Sequence, residues 1–120
     1  MFMFEILTIN RFVTKPTEPE WIVITGATSG IGLEHAKIMV GLGQNLILVS
    51  RSKDKLDEVQ YDLEGRKLLM DQKIVTVVCD FATTTIEKYF DSLDKVVSKY
   101  EIKEIKLVIN NVGHGPHGPY

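Results

Sequence analysis

The sequence predicts an α/β fold in which helices cover both faces of a parallel sheet. Two observations lead to this prediction: the chain contains four short, continuously apolar runs, and a segment with apolar residues at helical spacing lies between each run and the next. Continuously apolar strands are typical of parallel sheets that are buried on both faces. Because crossovers between parallel strands are right-handed, we expect four strands in the spatial order 3-2-1-4 and three helices.

The first apolar run, residues 21–24, predicts a strand that leads into a glycine-rich turn. Apolar residues then recur at helical spacing between residues 33 and 40. Gly41 and Gly43 follow, and glycines in this position mark the end of a helix.

The second apolar run, residues 46–49, predicts the second strand. Ser52 can cap the helix that follows, because its hydroxyl can accept a hydrogen bond from a backbone N–H of the first turn. Gly65 weakens this helix without necessarily ending it. One face of the helix is apolar and carries Leu56, Val59 and Leu63.

The third run, residues 74–78, is rich in β-branched residues and predicts the third strand. Thr84 and Glu87 have the spacing of a capping box, with Thr84 as the cap of the third helix. The fourth run, residues 107–109, predicts the last strand. This alternation predicts the first part of a Rossmann fold. The apolar face expected for the third helix comprises Ile86, Phe90, Leu93, Val97 and Tyr100.

The turn after the first strand, residues 25–32 with the sequence TGATSGIG, predicts a pyrophosphate-binding site. Gly26 permits a tight turn, Gly30 lets the backbone approach a phosphate, and Gly32 lets the helix pack closely on the strand. The N-terminus of the helix offers N–H groups and a partial positive charge to the phosphates. Three residues separate the first two glycines, so the spacing differs from the general Rossmann fingerprint. No Lys-Ser or Lys-Thr follows, as a nucleoside-triphosphatase loop would require.

The residue after the second strand predicts the choice of cofactor. In NAD-binding domains an acidic residue about 20 positions after the turn binds the ribose 2′-hydroxyl. At that distance from Gly32 stands Arg51, without a carboxylate beside it. A guanidinium can donate two hydrogen bonds to a 2′-phosphate, so we predict a preference for NADP(H). The alternative is that Arg51 is a solvated loop charge, as we expect of Lys53 and Lys55.

Three features of the sequence, which follow one another along the chain, resemble the short-chain dehydrogenase/reductase family. The first is the glycine turn, because the consensus sequence of this turn in the family is Thr-Gly-x-x-x-Gly-x-Gly. The family places an aspartate against the adenine, as Asp80 stands here after the third strand, and it has Asn-Asn-Ala-Gly where this chain has Asn-Asn-Val-Gly at residues 110–113. The resemblance spans residues 21–113 and implies a dinucleotide cofactor. The residues that it and the turn predict in cofactor binding are Gly26, Thr28, Ser29, Gly30, Ile31, Gly32, Arg51, Asp80, Phe81, Asn111, Val112 and Gly113.

Within the family, residues 47–56, residues 80–82 and Val112 resemble a membrane-associated branch. That branch contains the 17β-hydroxysteroid dehydrogenases and the very-long-chain 3-oxoacyl-CoA reductases. The resemblance implies hydride transfer from NADPH to a 3-oxoacyl thioester or a steroid ketone. It also implies an intracellular location, either cytoplasmic or associated with the endoplasmic reticulum membrane, although the short apolar N-terminus is a poor anchor or signal peptide.

The family's catalytic tyrosine precedes a lysine by one helical turn, and a serine orients the carbonyl. This Tyr-x-x-x-Lys motif lies well beyond the Asn-Asn-x-Gly loop in the family. We therefore expect the chain to carry the cofactor-binding half and to be catalytically incomplete. We also expect an unpaired apolar edge at the fourth strand and a tendency to aggregate. None of the four tyrosines has a lysine four positions later: Tyr61, Tyr89, Tyr100 and Tyr120.

Length and composition limit the remaining possibilities. The 120 residues suit one domain, and we expect a tail over residues 1–20 and an NADP(H)-binding domain, incomplete at its C-terminus, over residues 21–120. The net charge of -2 and the scattered basic residues give no reason to expect nucleic acid. A lone cysteine, Cys79, excludes an internal disulfide. We expect no metal site, because His114 and His117 have no third ligand at a suggestive spacing.

Three classes of function remain open on the sequence. The leading hypothesis is an NADP(H)-dependent reductase of which this chain is the N-terminal portion. The second is a non-catalytic module that binds a dinucleotide for regulation. The third, a structural or interaction protein with a decayed turn, fits poorly because the turn is intact. A Tyr-x-x-x-Lys motif encoded downstream would decide for the enzyme, and a genuine stop codon would favour the module.

Overall fold

The computed structural model describes residues 19–111 and contains four strands and three helices that alternate along the chain. Some of the sequence predictions concern residues outside this range, namely residues 1–18, Val112, Gly113, His114 and His117. The elements are β1 (Trp21–Thr25), α1 (Gly30–Gly41), β2 (Asn45–Ser50), α2 (Lys53–Glu64), β3 (Ile74–Val78), α3 (Ile86–Lys99) and β4 (Ile105–Asn110).

The four strands form one parallel sheet in the order β3-β2-β1-β4, which confirms the expected order 3-2-1-4. Thr25, the last residue of β1, pairs with Val49 of β2 and with Asn110 of β4. The carboxyl ends of these strands therefore meet along one edge of the sheet, and the loops that follow them lie side by side. Ligands in open α/β sheets bind at this edge.

Alternate residues of the strands point into two separate apolar clusters, one on each face of the sheet. Ile22 and Ile24 belong to the cluster beneath α1 and α2, and Val23 belongs to the cluster beneath α3. All six residues of β2 are buried, because helices cover both of its faces. In β4, by contrast, Val108 is 56% exposed. The prediction of a sheet covered on both faces is thus confirmed for the central strands and holds only in part for β4.

The start of one helix agrees with the sequence prediction, and the start of another differs from it. Ser52 caps α2, as predicted, and its hydroxyl accepts a hydrogen bond from the N–H of Lys55. The prediction that Thr84 caps the third helix is wrong by one residue. Thr85 is the cap, because its hydroxyl accepts the N–H of Lys88 over 3.2 Å, whereas Thr84 belongs to the preceding turn, in which its N–H donates to the carbonyl of Asp80.

The apolar face of α3 is only partly buried. Leu93, Val97 and Tyr100 pack against the cluster on the α3 face of the sheet. Ile86 and Phe90, which were expected on the same buried face, are 70% and 54% exposed. Phe90 lies near Val108 of β4, on a part of the sheet that no further element among residues 19–111 covers, and Ile86 is the first residue of α3.

Among residues 19–111, no helix combines the length and the apolar character needed to cross a membrane.

Candidate functional site

The glycine turn between β1 and α1 has a backbone that side chains would obstruct. Gly26 and Gly30 have φ angles of 62° and 58°, in the left-handed region that glycine adopts without strain. A Cβ on Gly32 would lie 2.2 Å from the carbonyl oxygen of Gly26, so the helix could not approach the strand as it does. A Cβ on Gly30 would meet no atom within 4 Å. Gly30 therefore borders open space, into which a ligand could come close to the backbone.

The N-terminus of α1 differs from those of the other two helices. Ser29 precedes α1 in an extended conformation, and its side chain makes no capping hydrogen bond. Ser52 and Thr85, at the corresponding positions of α2 and α3, both accept one. The first turn of α1 also carries no acidic residue. Its N–H groups and its dipole thus meet neither a capping oxygen nor a carboxylate, which is the arrangement that accommodates an anion.

On one side the turn is fixed to the end of β4. The hydroxyl of Thr25 donates to Asn110 Oδ1 over 2.7 Å and accepts the N–H of Asn111 over 3.0 Å. The side-chain amide of Asn111 donates to the carbonyl of Thr25 over 3.3 Å. A Cβ on Gly26 would lie 3.3 Å from Asn111, so that residue packs directly on the turn. The side chain of Asn111, predicted to bind the cofactor, is engaged in fixing the turn.

On the other side the turn is fixed to the end of β2. The N–H of Ala27 donates to the carbonyl of Val49 over 3.3 Å. The hydroxyls of Thr28 and Ser50 lie 3.1 Å apart and share a hydrogen bond. Arg51 follows Ser50 directly and is exposed. Its charge is consequently displayed beside the turn at the carboxyl edge of the sheet.

Asp80 and Phe81 follow β3 and lie at the same edge of the sheet, but their side chains have different contacts. Asp80 Oδ1 accepts the N–H of Ala82 over 3.0 Å, which orients the carboxylate within its own turn. The ring of Phe81 packs edge-on against Tyr89 of α3, with centroids 4.8 Å apart. Phe81 thus helps to seat α3.

The basic residues near the turn are not equivalent. Lys53 Nζ lies 2.9 Å from Asp57 on the exposed face of α2, and the hydrogen bond and charge of Asp57 raise the pKa of Lys53. Lys53 was expected to be a solvated loop charge; it is exposed, but it is the first residue of α2 and not part of a loop. Arg51 precedes the helix and stands closest in sequence to the Thr28–Ser50 contact.

All the predicted site residues between positions 19 and 111 lie at the carboxyl edge of the sheet or in the glycine turn beside it. Two further residues join them that the sequence analysis did not assign, Thr25 and Ser50. Thr25 carried a signal, since it opens the glycine motif. Nothing in the sequence marks Ser50, because its contact with Thr28 spans 22 residues.

A second concave region lies on the α3 face, between α3 and β4. It is a groove of about 490 Å³, and its lining is largely apolar. Burial raises the pKa of Tyr89 at its wall. The lining residues include Phe81, Tyr89, Phe90, Leu93 and Val108.

The sequence and the fold of the chain are similar to those of known proteins. A family profile described as short chain dehydrogenase matches residues 20–120, which is most of the chain. The chain belongs to the short-chain dehydrogenase family. Its oxidoreductase relatives include the very-long-chain 3-oxoacyl-CoA reductase of Homo sapiens, 37% identical over 104 residues, and that of Schizosaccharomyces pombe, 35% identical over 99 residues. These alignments cover 87% and 82% of the chain.

The chain spans about 30% of the length of these relatives. Among solved structures of this short-chain dehydrogenase fold, the L-sorbose reductase of Gluconobacter frateurii, in complex with NADPH and L-sorbose, matches with a TM-score of 0.68 and 28% identity. The match covers 85% of this chain and 36% of that one. The family resemblance predicted from the motifs is therefore confirmed, as is the Rossmann-type fold.

Proposed function

We propose that this chain is the NADP(H)-binding portion of a short-chain dehydrogenase that reduces a ketone, with a 3-oxoacyl-CoA or a steroid as the substrate class. The observation that carries the proposal is the turn of residues 25–32, whose glycines border open space at a helix N-terminus without a side-chain cap. The names of the relatives support the 3-oxoacyl-CoA class. Most of each relative lies outside the match, so the activity of a whole protein is part of the proposal.

The turn fits the pyrophosphate of a dinucleotide. Gly30 leaves the backbone accessible, and the first-turn N–H groups of α1 donate to phosphate oxygens. Thr25 and Asn111 keep the turn in place from the β4 side, so the donors are oriented before a ligand arrives. Preorganised donors bind an anion without a further cost of ordering the loop.

Arg51 supports NADP(H) over NAD(H). Its exposed guanidinium lies at the end of β2 and can donate two hydrogen bonds to a 2′-phosphate, whereas a carboxylate there would repel it. Asp80 contributes a carboxylate near the end of β3 for the adenine amino group. In the whole enzyme the bound cofactor would supply a hydride to the ketone carbon.

The chain alone, we propose, binds the cofactor without reducing a ketone. None of its tyrosines stands four positions before a lysine, so no lysine one helical turn away can lower the pKa of a tyrosine acid in the family's manner. The Tyr-x-x-x-Lys motif would come from a further segment of the polypeptide. We also propose an intracellular location, either cytoplasmic or associated with the endoplasmic reticulum membrane, because the sequence resembles the membrane-associated branch.

Isothermal titration of the 120-residue chain with NADPH and with NADH tests the binding proposal. We expect both to bind, NADPH more tightly, and no turnover of a 3-oxoacyl-CoA. If neither nucleotide binds to folded protein, the proposed site is wrong. Sequencing of the transcript downstream of residue 120 then separates the two remaining hypotheses, because a Tyr-x-x-x-Lys motif would indicate the enzyme and a stop codon would favour a dinucleotide-binding module.

A further inference from the structure

A pair of hydroxyl groups connects the glycine turn to the strand that precedes Arg51. Ser50, the last residue of β2, is 8% exposed, and its Oγ lies 3.1 Å from Thr28 Oγ1. Thr28 is half-buried and lies within the turn. The contact therefore joins two loops that meet at the carboxyl edge of the sheet, one residue away from the guanidinium assigned to the 2′-phosphate.

The difference in burial between the two residues indicates which of them donates. Each hydroxyl has one proton, and the hydrogen bond between them uses only one of the two. A buried hydroxyl has to find its partner within the protein, and the partner that the structure provides for Ser50 is Thr28. When Ser50 donates to Thr28 Oγ1, the hydroxyl proton of Thr28 stays available for an acceptor outside this pair.

We infer that Ser50 is a positioning residue for the 2′-phosphate of NADP(H), acting through the hydroxyl of Thr28. This inference rests on the proposed function, because it requires the phosphate to sit between the turn and Arg51. A hydroxyl that already accepts one hydrogen bond is polarised and becomes a better donor in the next. Its hydrogen bond to a phosphate oxygen is charge-assisted and stronger than one to a neutral ribose hydroxyl. The Ser50–Thr28 pair thus favours NADP(H) over NAD(H) in addition to Arg51.

Two nucleotide fragments separate this role from a general effect on the turn. The probes are 2′,5′-ADP, which carries phosphates on the 2′ and 5′ oxygens, and 5′-AMP, which differs from it only in lacking the 2′-phosphate. Both are titrated into the 120-residue chain by calorimetry. We expect Ser50→Ala to weaken the binding of 2′,5′-ADP by about fivefold, and Thr28→Val to weaken it by about tenfold or more, since Thr28 makes the direct contact. The affinity of each variant for 5′-AMP should stay within about twofold of that of the unmodified chain.

Two conservative variants serve as controls. Thr28→Ser keeps the hydroxyl and should retain the preference for 2′,5′-ADP. Ser50→Cys keeps the size of the buried side chain but donates poorly, so it should weaken binding of 2′,5′-ADP as Ser50→Ala does, even if the alanine variant does not fold.

The outcomes distinguish this inference from the proposed function. Equal losses for the two probes in Ser50→Cys and Thr28→Val, or no loss in either variant, would overturn the positioning role while leaving the binding site in place. An unmodified chain that binds 5′-AMP as tightly as 2′,5′-ADP would overturn the NADP(H) preference itself. An unmodified, folded chain that binds neither fragment would overturn the proposed function.

Discussion

Thr25 and Asn111 are joined by two hydrogen bonds although 86 positions separate them in the sequence. The N–H of Asn111 donates to Thr25 Oγ1 over 3.0 Å, and Asn111 Nδ2 donates to the carbonyl of Thr25 over 3.3 Å. The start of the glycine turn is thereby fixed to the end of β4. The position of the turn depends on the last described strand as much as on the strand that precedes it.

Replacing Thr25 with valine should destabilise the fold and loosen the turn. Thr25 is 3% exposed, and valine has its shape but cannot accept from Asn111 or donate to Asn110. We expect a loss of about 1–3 kcal/mol in the free energy of unfolding, measured by urea titration, because a buried N–H loses its acceptor. Thr25→Ser keeps the hydroxyl and should cost less. A loss in Thr25→Ser with little loss in Thr25→Val would show that the methyl group, and not the hydrogen bonds, matters.

Replacing Gly32 with alanine should disrupt the junction between β1 and α1. The added Cβ would lie 2.2 Å from the carbonyl oxygen of Gly26, so the helix would have to move away from the turn. We expect at least about 2 kcal/mol of destabilisation, together with weaker NADPH binding. Gly41→Ala is the matched control: its Cβ meets nothing within 4 Å, and alanine should raise stability by up to about 1 kcal/mol. Normal stability and NADPH binding in Gly32→Ala would contradict the close packing.

Replacing Arg51 with aspartate should reverse the preference between the two cofactors. The carboxylate would repel a 2′-phosphate and could accept hydrogen bonds from the ribose hydroxyls of NADH. We expect tighter NADH than NADPH binding in calorimetric titrations, with NADPH affinity lowered by about tenfold or more. Lys55→Asp makes the same change of charge on α2 and should leave the order unchanged. Tighter NADH binding by the unmodified chain would show that the role assigned to Arg51 is wrong.

Gln72 should be important for stability without any effect on cofactor choice. It is 2% exposed, and its amide donates to the carbonyls of Val40 and Gln44 and accepts the N–H groups of Leu68 and Leu69. Gln72→Leu would remove a partner from all four groups. We expect a loss of about 3 kcal/mol in the free energy of unfolding and an unchanged ratio of NADPH to NADH affinity, since the residue precedes β3 at the opposite edge of the sheet.

The control for that prediction is Gln60→Leu. Gln60 donates a single hydrogen bond, over 2.7 Å, to the carbonyl of Ile74. Its replacement should cost about 1 kcal/mol. Equal costs for the two variants would mean that the loop before β3 does not depend on the amide of Gln72.

The exposed apolar side chains beside β4 should promote self-association of the chain. Phe90 of α3 and Val108 of β4 line the groove and are 54% and 56% exposed, and Ile86, the first residue of α3, is 70% exposed. We expect the double substitution Ile86→Lys and Phe90→Lys to reduce aggregation in sedimentation velocity experiments, because it removes apolar surface without altering the core. Ile38→Lys, on the exposed face of α1, is the control and should have little effect. If the control reduces aggregation equally, the α3 face is not the cause.

The sequence by itself determined the architecture and the place of the site. Apolar runs of strand length alternate with segments of helical spacing, and the right-handed crossover rule then permits few arrangements, so the order β3-β2-β1-β4 followed. The glycine turn was recognisable because each of its glycines stands where a side chain would obstruct the turn, the approach of a ligand or the packing of the helix. Ser52 was predicted as a cap for the same reason, since its hydroxyl reaches only three residues along the chain.

Only the tertiary structure decided how distant residues share the site. The capping-box spacing to Glu87 predicted Thr84 as the cap, whereas in the structure the hydroxyl of Thr85 accepts the N–H of Lys88 and the N–H of Thr84 belongs to the turn at Asp80. The contact between Ser50 and Thr28 exists because β1 and β2 end side by side. The register of the sheet determines where the two strands end relative to each other, and a sequence pattern does not contain that information. Hydrogen bonds between loops depend on distances of a few tenths of an ångström, and those distances arise only when the strands are paired and the helices packed.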